Sequence, residues 1–307
     1  MNPKPPALLV VNPAAHRVSL NKEDPVIGAL ARGFDVDLAE TKSPGHATEL
    51  AARAAEEGLG LVIVLGGDGT VNEVTNGLAR SATALAVLPG GEANILARSL
   101  GIGRDPLRAA RNLVARSGED PRSIQLGRIN GRWFVSNCGV GLDAAVVGDV
   151  ESHPRAKQRG GDLYFVLAGI RQFVSRYDRR TPKLDLSWGP ELEHRVDGVF
   201  LAVVQNVGPF TYFGRRPLRL SPDADMKGGL DVFAMDSFRA RHVLPVLFAG
   251  FGRGRTDRRK HVISVRDQAR IAVRCAEPMP AQADGEYLGE ITVADIESVP
   301  DALRILT

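Results

Sequence analysis

The 307-residue chain has little cysteine, few aromatic residues and no long hydrophobic run. Its two cysteines, Cys138 and Cys275, are too far apart in sequence for a disulfide framework or a cysteine-rich metal site, which indicates a reducing compartment. Aromatic residues make up 6% of the chain and do not alternate with arginines as stacking platforms, which argues against nucleic acid as a partner.

Hydrophobic runs are too short for a membrane span. No window of about 18 apolar residues occurs, so the sequence predicts no transmembrane helix. The apolar run at residues 7–11 also lacks the length and cleavage site of a secretory signal. We therefore expect a strand there and a cytoplasmic protein.

Charge is unevenly distributed along the chain, although the net charge is only +3. Residues 151–261 contain 20 basic and 12 acidic side chains, whereas residues 1–124 contain 13 basic and 14 acidic ones. An anionic partner would therefore be attracted to the middle of the chain.

The first 124 residues alternate between apolar runs and helical patterns. The runs predict the strands of a parallel sheet over 7–11, 34–38, 61–65 and 84–88. Helical patterns cover 46–57, 71–79 and 106–115. Strands that alternate with helices form βαβ units, so we predict an α/β domain, a parallel sheet flanked by helices, over residues 1–124.

After residue 124 the pattern changes to short alternating segments separated by glycine. They predict strands over 125–129, 133–137, 183–188, 199–205, 230–234, 261–265 and 270–274. Helical stretches at 162–177 and 241–251 interrupt them. This spacing is typical of a mostly antiparallel β domain, which we place at residues 125–290.

A glycine-rich loop follows the strand predicted at 61–65 and opens the next helix. It consists of Gly66, Gly67, Asp68, Gly69, Thr70, Val71 and Asn72. Glycines let the backbone approach an anion, and the N–H groups at a helix start attract phosphate. A carboxylate beside phosphates suits a bound Mg²⁺ or the orientation of a hydroxyl nucleophile. The alternative is an ordinary tight turn, because the loop is neither a Walker loop nor a dinucleotide fingerprint.

A second loop stands in the equivalent place after the strand predicted at 84–88. It contains Gly90, Gly91, Glu92 and Asn94. Alone, its Pro-Gly-Gly segment predicts only a turn. Loops at the carboxyl ends of neighbouring parallel strands face one crevice, so the pair predicts the two sides of a nucleotide site.

The segments GGDGTVNEV and PGGEANILARSLGI together resemble the diacylglycerol kinase catalytic-domain family. These are soluble bacterial lipid kinases that are related to sphingosine and ceramide kinases. The resemblance extends over nearly the whole chain, through Thr41 with Gly45-His46-Ala47, the segment 135–144 and the late Asp284-Gly285-Glu286. The first segment is shared with NAD kinases and phosphofructokinases, whereas the combination is specific to lipid kinases.

The resemblance implies an α/β nucleotide-binding domain, a C-terminal β-sandwich that binds the lipid, and an active site in the interdomain cleft. It also implies that the tail, residues 291–307, returns to the first domain. ATP would be held by residues 66–72, by Thr41 and by the second loop, and Asp68 would lie near the phosphates and Mg²⁺. Glu286 would accept the proton of the lipid hydroxyl, because phosphoryl transfer needs a positioned base. Without the resemblance, residues 284–286 predict only a hairpin turn.

Three positions depart from the family pattern. Glu92 stands where the family has a threonine, so a carboxylate replaces a hydroxyl near the nucleotide. Gln125 stands where the family often has an aspartate, and an amide supplies no charge to a metal network. Lys227 lies in a segment that binds a structural metal in some members, and a protonated lysine cannot ligate a hard cation. Asp223 or Asp225 could substitute as ligands, but we expect no metal at that segment.

We expect an ATP- and Mg²⁺-dependent lipid kinase that transfers the γ-phosphoryl group to a hydroxyl of a diacylglycerol-like acceptor. Two alternatives stay open. One is a kinase of a soluble acceptor such as NAD, which the first glycine loop permits. The other is a non-catalytic nucleotide- or lipid-binding homologue, which the three departures favour and the retention of Asp68 and Glu286 opposes.

The basic middle of the chain predicts reversible contact with a membrane surface, so that the protein is peripheral to the inner face of the membrane. Basic clusters accompany the two helical stretches, 162–177 and 241–251. Either these stretches dock on lipid, or their apolar residues are core and their arginines form a solvated rim. The resemblance also makes a homodimer one option, which no residue here decides.

Overall fold

The computed structural model describes residues 3–13, 24–153, 167–169, 171–173, 177–178, 180–214, 216–252 and 255–307. These residues form two compact units. Unit 1 contains the described residues up to Leu126 together with Pro300–Thr307, and unit 2 contains those from Gly127 to Val299. Most of the helix predicted over 162–177 lies outside the described residues.

Unit 1 is a parallel sheet flanked by helices. The strands β1 (Pro6–Val11), β2 (Asp35–Glu40), β3 (Leu61–Gly66) and β4 (Ala84–Pro89) lie in the order β4-β3-β1-β2. Near the end of the chain, Arg304 and Ile305 add a further parallel pair beside β4. Every residue of β3 and β4 is buried, as expected for strands covered on both faces.

Five helices of unit 1 follow or connect these strands: α1 (Pro25–Leu30), α2 (His46–Glu56), α3 (Asp68–Leu78), α4 (Ile95–Ser99) and α5 (Pro106–Ala115). Asp24 and Asp105 cap α1 and α5 by accepting hydrogen bonds from N–H groups of the first turn. The prediction that a helix begins at Val71 was wrong. The helix begins at Asp68, because Gly67 adopts the extended conformation that is typical of an N-cap.

Helices α2 and α3 pack closely where Gly77 faces Thr48. A Cβ atom on Gly77 would lie 2.5 Å from the carbonyl oxygen of Thr48, so only glycine allows this approach. In the same contact, Oε2 of Glu73 accepts a 3.1 Å hydrogen bond from the N–H of Ala47. This carboxylate caps α2, whose own N-cap residue is a glycine without a side chain.

Unit 2 is built mainly from antiparallel strands. Two of its strands, β5 (Arg122–Ile129) and β16 (Glu286–Ile305), also contribute residues to unit 1. The others are β6 (Arg132–Phe134), β7 (Asn137–Val140), β8 (Leu184–Trp188), β9 (His194–Val199), β10 (Leu201–Gln205), β11 (Thr211–Phe213), β12 (Arg216–Leu218), β13 (Leu230–Met235), β14 (Val262–Gln268) and β15 (Arg270–Ala283). The main order is β14-β13-β10-β7-β15-β16, and β8 pairs with β15 and β9. The described helices are α6 (Leu142–Glu151) and α7 (Ala240–Phe251).

Two strands predicted in unit 2 are each divided. The segment predicted over 199–205 changes partners at Phe200, because β9 pairs with β8 as far as Val199 whereas β10 pairs with β13 and β7. The segment predicted over 133–137 is interrupted where three successive N–H groups bind the carboxylate of Asp284. Long-range partners therefore break both segments.

Candidate active site

Four loops of unit 1 begin at the carboxyl ends of its parallel strands. Asn12 follows β1, Thr41 follows β2, Gly67 follows β3 and Gly90 follows β4. In the order β4-β3-β1-β2 these positions lie along one edge of the sheet, where open α/β sheets bind ligands. Sequence reasoning gave no role to Asn12, although an Asn-Pro pair directly after a buried strand was an available signal.

The two glycine loops approach each other backbone to backbone. The N–H of Gly90 donates to the carbonyl of Gly66 at 2.8 Å. A Cβ atom on Gly91 would lie 2.7 Å from the Cα of Gly67. Backbone atoms cannot be displaced as a flexible side chain can, so packing between the loops itself requires glycine at position 91.

Asp68 joins the first loop to the second. Its Oδ1 accepts a 2.6 Å hydrogen bond from the N–H of Ile95, the first residue of α4. Asp68 is also the first residue of α3, so its carboxylate lies at the positive end of that helix dipole. The side chain therefore fixes the second loop and places a negative charge at the ligand-binding edge of the sheet.

Asn94 holds the second loop in its conformation. Its Oδ1 accepts from the N–H of Gly91 at 2.9 Å, and its Nδ2 donates to the carbonyl of the same residue at 2.6 Å. The φ of Asn94 is 46°, a left-handed conformation that asparagine tolerates. Glu92 is exposed between them. The side-chain amide of Asn94 thus stabilises the loop conformation, while Glu92 presents a negative charge to solvent.

Three further residues of the first loop contact unit 1 itself. Thr70 accepts a 3.0 Å hydrogen bond at Oγ1 from Nδ2 of Asn12. Val71 is buried, and so is Asn72, which accepts hydrogen bonds from Asn76. Their role in nucleotide binding stays a prediction.

Gly69 differs from Gly66, where a Cβ atom would lie 2.8 Å from Cβ of Thr70, because packing does not require a glycine at position 69. It is exposed in the first turn of α3, and a Cβ atom there would have no heavy atom within 4 Å. Its φ is not positive. Open space at the start of an 11-residue helix is where backbone N–H groups can meet a phosphate.

In unit 2, Asp284 clamps the start of β7. Its carboxylate accepts hydrogen bonds from the N–H groups of Val135, Ser136 and Asn137 at 2.6, 2.7 and 3.0 Å. The backbone turns sharply at this point, since Asp284 has a φ of 49° and Gly285 a φ of 81°. The turn carries the chain directly into Glu286, the first residue of β16.

Glu286 forms an ion pair with Arg132 of β6. About a third of each side chain is exposed, 31% for Glu286 and 32% for Arg132. The guanidinium therefore orients a carboxylate that solvent can still reach. Arg132 was not predicted from the sequence, because 154 residues separate it from its partner.

A network of polar side chains around Gln282 stabilises the turn at residues 284–286. The Nε2 of Gln282 donates to Oδ1 of Asn137 at 2.9 Å and to Oδ2 of Asp143 at 3.0 Å, and its Oε1 accepts from the N–H of Gly285. Burial raises the pKa of Asp143 from 3.8 to about 6. Burial also raises the pKa of the Cys138 thiol well above its ordinary value. Neither Asp143 nor Gln282 was singled out from sequence.

The three departures from the family pattern occupy different environments. Glu92 is exposed, whereas Gln125 is buried in β5. Near Lys227, the carboxylate of Asp223 is engaged by Arg255 at 2.7 Å and by Arg266. Guanidinium groups therefore neutralise the carboxylate of Asp223, and the expectation that this segment binds no metal stays a prediction.

A cavity of about 850 Å³ in unit 2 is formed by other residues. Its walls include Tyr177, Phe200, Phe238 and Arg239, and none of the sequence-predicted site residues lines it. Cavity size therefore gives no support to the predicted site, which depends on the sheet edge and on the Glu286 turn.

Comparison with known proteins identifies the family. Residues 6–129 match the diacylglycerol kinase catalytic domain, and residues 136–307 match the YegS C-terminal NAD kinase beta sandwich-like domain. A diacylglycerol kinase of Bacillus subtilis (strain 168) is 30% identical over 261 residues, which cover 84% of this chain and 81% of the relative. The chain belongs to the diacylglycerol kinase family. It is therefore a kinase with an alcohol group as acceptor.

Other relatives agree with this assignment to the diacylglycerol kinase family. A diacylglycerol kinase of Staphylococcus carnosus (strain TM300) is 24% identical over 84% of this chain and 80% of its own length. A protein of Pseudomonas aeruginosa (strain UCBPP-PA14) named "Probable lipid kinase YegS-like" is 31% identical over 56% of this chain and 53% of its own.

A crystal structure of a diacylglycerol kinase from Bacillus anthracis str. Sterne shares the fold of this family member. It is 22% identical with a TM-score of 0.70, and the match covers 98% of this chain and 96% of that one. The predicted fold class, an α/β domain followed by a mostly antiparallel β-sandwich, is confirmed. Within the described residues, no helix has both the length and the hydrophobicity to span a bilayer.

Proposed function

We propose that this member of the diacylglycerol kinase family transfers the γ-phosphoryl group of ATP, with Mg²⁺, to a hydroxyl of a diacylglycerol-like lipid. The observation that carries the proposal is the open first turn of α3 at Gly69, which lies beside the carboxylate of Asp68. Packing requires glycine at positions 66 and 91 but not at position 69, so the open turn at Gly69 favours a ligand there. Family membership supports the lipid alcohol as acceptor.

We assign Mg²⁺ to Asp68. A nucleotide-bound Mg²⁺ takes one or two protein carboxylates and completes its coordination with phosphate oxygens and water. The part of the chain that the structure describes has no group of three or more His, Cys, Asp or Glu side chains suited to a metal, so the fit is to one carboxylate at the loop. When bound, the ion neutralises charge on the transferring group. The nucleotide contacts are assigned to Thr41, Gly66, Gly67, Gly69, Thr70, Val71, Asn72, Gly91, Glu92 and Asn94.

We assign Glu286 as the general base. Its ion pair with Arg132 and the turn clamped by Asp284 restrict the carboxylate to one orientation, as proton transfer from a hydroxyl requires. Arg132 and Asp284 are positioning residues in this proposal. The proton of the lipid hydroxyl passes to Glu286 while the hydroxyl oxygen forms a bond to the γ-phosphorus. The bond from that phosphorus to the β,γ-bridging oxygen of ATP breaks, and ADP leaves.

The test is phosphate transfer from labelled ATP to lipids in mixed micelles. The acceptors are diacylglycerol, monoacylglycerol, phosphatidylglycerol, sphingosine and ceramide, with NAD as the soluble acceptor. Asp68→Asn keeps an oxygen for the N–H of Ile95, and Glu286→Gln keeps one for Arg132, so each variant removes charge and little else. We expect each to lower kcat by roughly 10²-fold or more while the thermal midpoint stays near that of the wild type.

Other outcomes would favour the alternatives. Transfer to NAD without transfer to lipid would indicate a soluble acceptor. ATP binding with no transfer to any acceptor would indicate a non-catalytic homologue. Gly69→Ala tests the loop separately, because its methyl group meets no protein atom but would occupy the open turn. Weaker ATP binding at an unchanged thermal midpoint is expected, and unchanged binding would contradict the assignment of the loop.

A further inference from the structure

One face of α7 exposes four large apolar side chains in a continuous stripe. Leu244, Leu247, Phe248 and Phe251 follow the i, i+3, i+4, i+7 spacing of one helix face. Their exposed fractions are 53%, 38%, 78% and 40%. The alternative in which the apolar residues of this stretch are core is therefore wrong for these four.

The opposite face of α7 anchors the helix to unit 2. Val246, Ala249 and Gly250 are buried. A Cβ atom on Gly250 would lie 2.7 Å from Cδ1 of Leu218, and the carbonyl of Gly250 accepts a 2.9 Å hydrogen bond from Arg219. The helix is thus fixed in place by one face and presents its apolar stripe with the other.

The chain segments that flank the stripe in sequence are rich in basic residues. Residues 239–260 contain seven arginines and lysines and a single acidic residue, Asp257, which pairs with Arg255. Arg239, Arg258, Arg259 and Lys260 are exposed, and none of them has an ion-pair partner within the described ranges.

The rings of His242 and His261 stack with their centroids 3.9 Å apart, which brings the segment after Lys260 to the start of α7. The pKa of His242 is lowered by desolvation and then by the positive charges of His261, Arg241, Arg239 and Lys260. Asp236 is the acidic group at this end, and it is paired with His261 at 2.8 Å. The apolar stripe therefore lies beside a cluster of excess positive charge.

We propose that α7, with the exposed basic residues 239, 241 and 258–260, docks the protein on an anionic lipid bilayer. Apolar side chains on one helix face, rimmed by arginine and lysine, are the arrangement of interfacial helices that insert among headgroups. The complementary charge is that of anionic phospholipid headgroups. This inference rests on the proposed function, because a lipid acceptor brings the enzyme to a bilayer.

The experiment is sedimentation of the full chain with vesicles of phosphatidylcholine alone and of equal parts phosphatidylcholine and phosphatidylglycerol. We expect binding to the anionic vesicles. A Leu247→Ser/Phe248→Ser variant should bind at least about tenfold more weakly, because it removes two apolar anchors. An Arg258→Gln/Arg259→Gln variant should lose about fivefold per charge removed. The matched controls are Leu38→Ser, an exposed apolar side chain of unit 1, and Arg111→Gln, an exposed arginine of α5.

A second measurement does not depend on loss of binding. In Phe248→Trp, indole emission should shift to shorter wavelength when anionic vesicles are added, beyond any shift of the native Trp133 and Trp188 in the wild type. No sedimentation of the wild type, no indole shift, or full binding by the Leu247→Ser/Phe248→Ser variant would overturn the proposal. A dimer that the same double substitution dissociates would show instead that a second copy covers the stripe.

The kinase proposal fails separately from the docking proposal. A short-chain diacylglycerol that dissolves as monomers needs no bilayer, so the α7 variants should phosphorylate it at the wild-type rate. Vesicle binding without any phosphate transfer would refute the kinase proposal and leave the docking surface standing. Transfer to the short-chain acceptor without vesicle binding would refute the docking proposal and support the kinase proposal.

Discussion

Asp143 shows how a single buried residue makes the stability of unit 2 depend on pH. Its carboxylate accepts from Gln282, which also holds Asn137 and the N–H of Gly285. Because its pKa rises from 3.8 to about 6 on folding, the folded state binds the proton more tightly than the unfolded state does. This residue therefore stabilises the fold fully below pH 3.8 and loses that stabilisation as the pH rises towards 6.

We expect Asp143→Asn to remove this pH dependence. A rise from 3.8 to about 6 corresponds to roughly 3 kcal/mol at 1.36 kcal/mol per pKa unit. Urea unfolding of both proteins across this range should show the variant gaining about that much relative to wild type as the pH rises. Other carboxylates titrate equally in both proteins, so the difference isolates Asp143. Parallel pH profiles would contradict the assignment.

Replacing Asp284 or Glu286 by its uncharged amide should change the folding free energy by different amounts. Asp284→Asn replaces one acceptor oxygen with an amide that faces backbone N–H groups, so we expect a loss of about 3 kcal/mol of folding free energy and reduced kcat. Glu286→Gln removes the charge of a partly exposed ion pair, whose loss costs about 0–1 kcal/mol. Chemical denaturation beside kcat measurements tests this contrast. Equal destabilisation by the two variants would show that Glu286 is a structural residue.

At the scale of elements, the two glycine loops depend on a backbone contact that no side chain can replace. A methyl group at position 91 would lie 2.7 Å from the Cα of Gly67. We expect Gly91→Ala to push the loops apart, with a loss of about 1–3 kcal/mol of stability and weaker ATP binding. Thermal unfolding and ATP titration check this, with Gly69→Ala as the matched control that should leave stability intact. A Gly91→Ala variant as stable as wild type would show that the loops tolerate separation.

The elements that sequence reasoning predicted well are those whose signals are local. The strands at 61–66 and 84–89 are continuous apolar runs, and α5 has its proline and aspartate cap in the adjoining residues. The interruption after β6 was missed because its cause, Asp284, lies 149 residues from Val135. Helix α6 was missed because its apolar residues do not form a stripe on one helix face. The glycine loops were recognised from residues 66–72, but the roles of Asn12 and Arg132 required the folded contacts.

On the scale of the whole molecule, charge is distributed unevenly between the region proposed to bind nucleotide and the region proposed to dock on a membrane. The region from 1 to 124 is close to neutral, whereas 151–261 carries a large excess of basic residues. In the proposed function, nucleotide binding at the sheet edge depends on backbone N–H groups and on the carboxylate of Asp68, which act over short distances. Attraction to an anionic surface acts over the Debye length and is therefore far more sensitive to salt.

This difference predicts two salt responses in one enzyme. Raising the ionic strength from roughly 0.1 M to 1 M shortens the Debye length from about 10 Å to about 3 Å. We expect phosphorylation of diacylglycerol in anionic vesicles to fall at least about tenfold over this range, because several basic residues beside α7 lose their attraction to the surface. Phosphorylation of a monomeric short-chain diacylglycerol should change by less than about twofold, since its encounter is not steered by a charged surface. Initial rates with each acceptor at matched Mg²⁺ give the comparison. An equal fall with both acceptors would place the effect of salt at the nucleotide site rather than at the membrane.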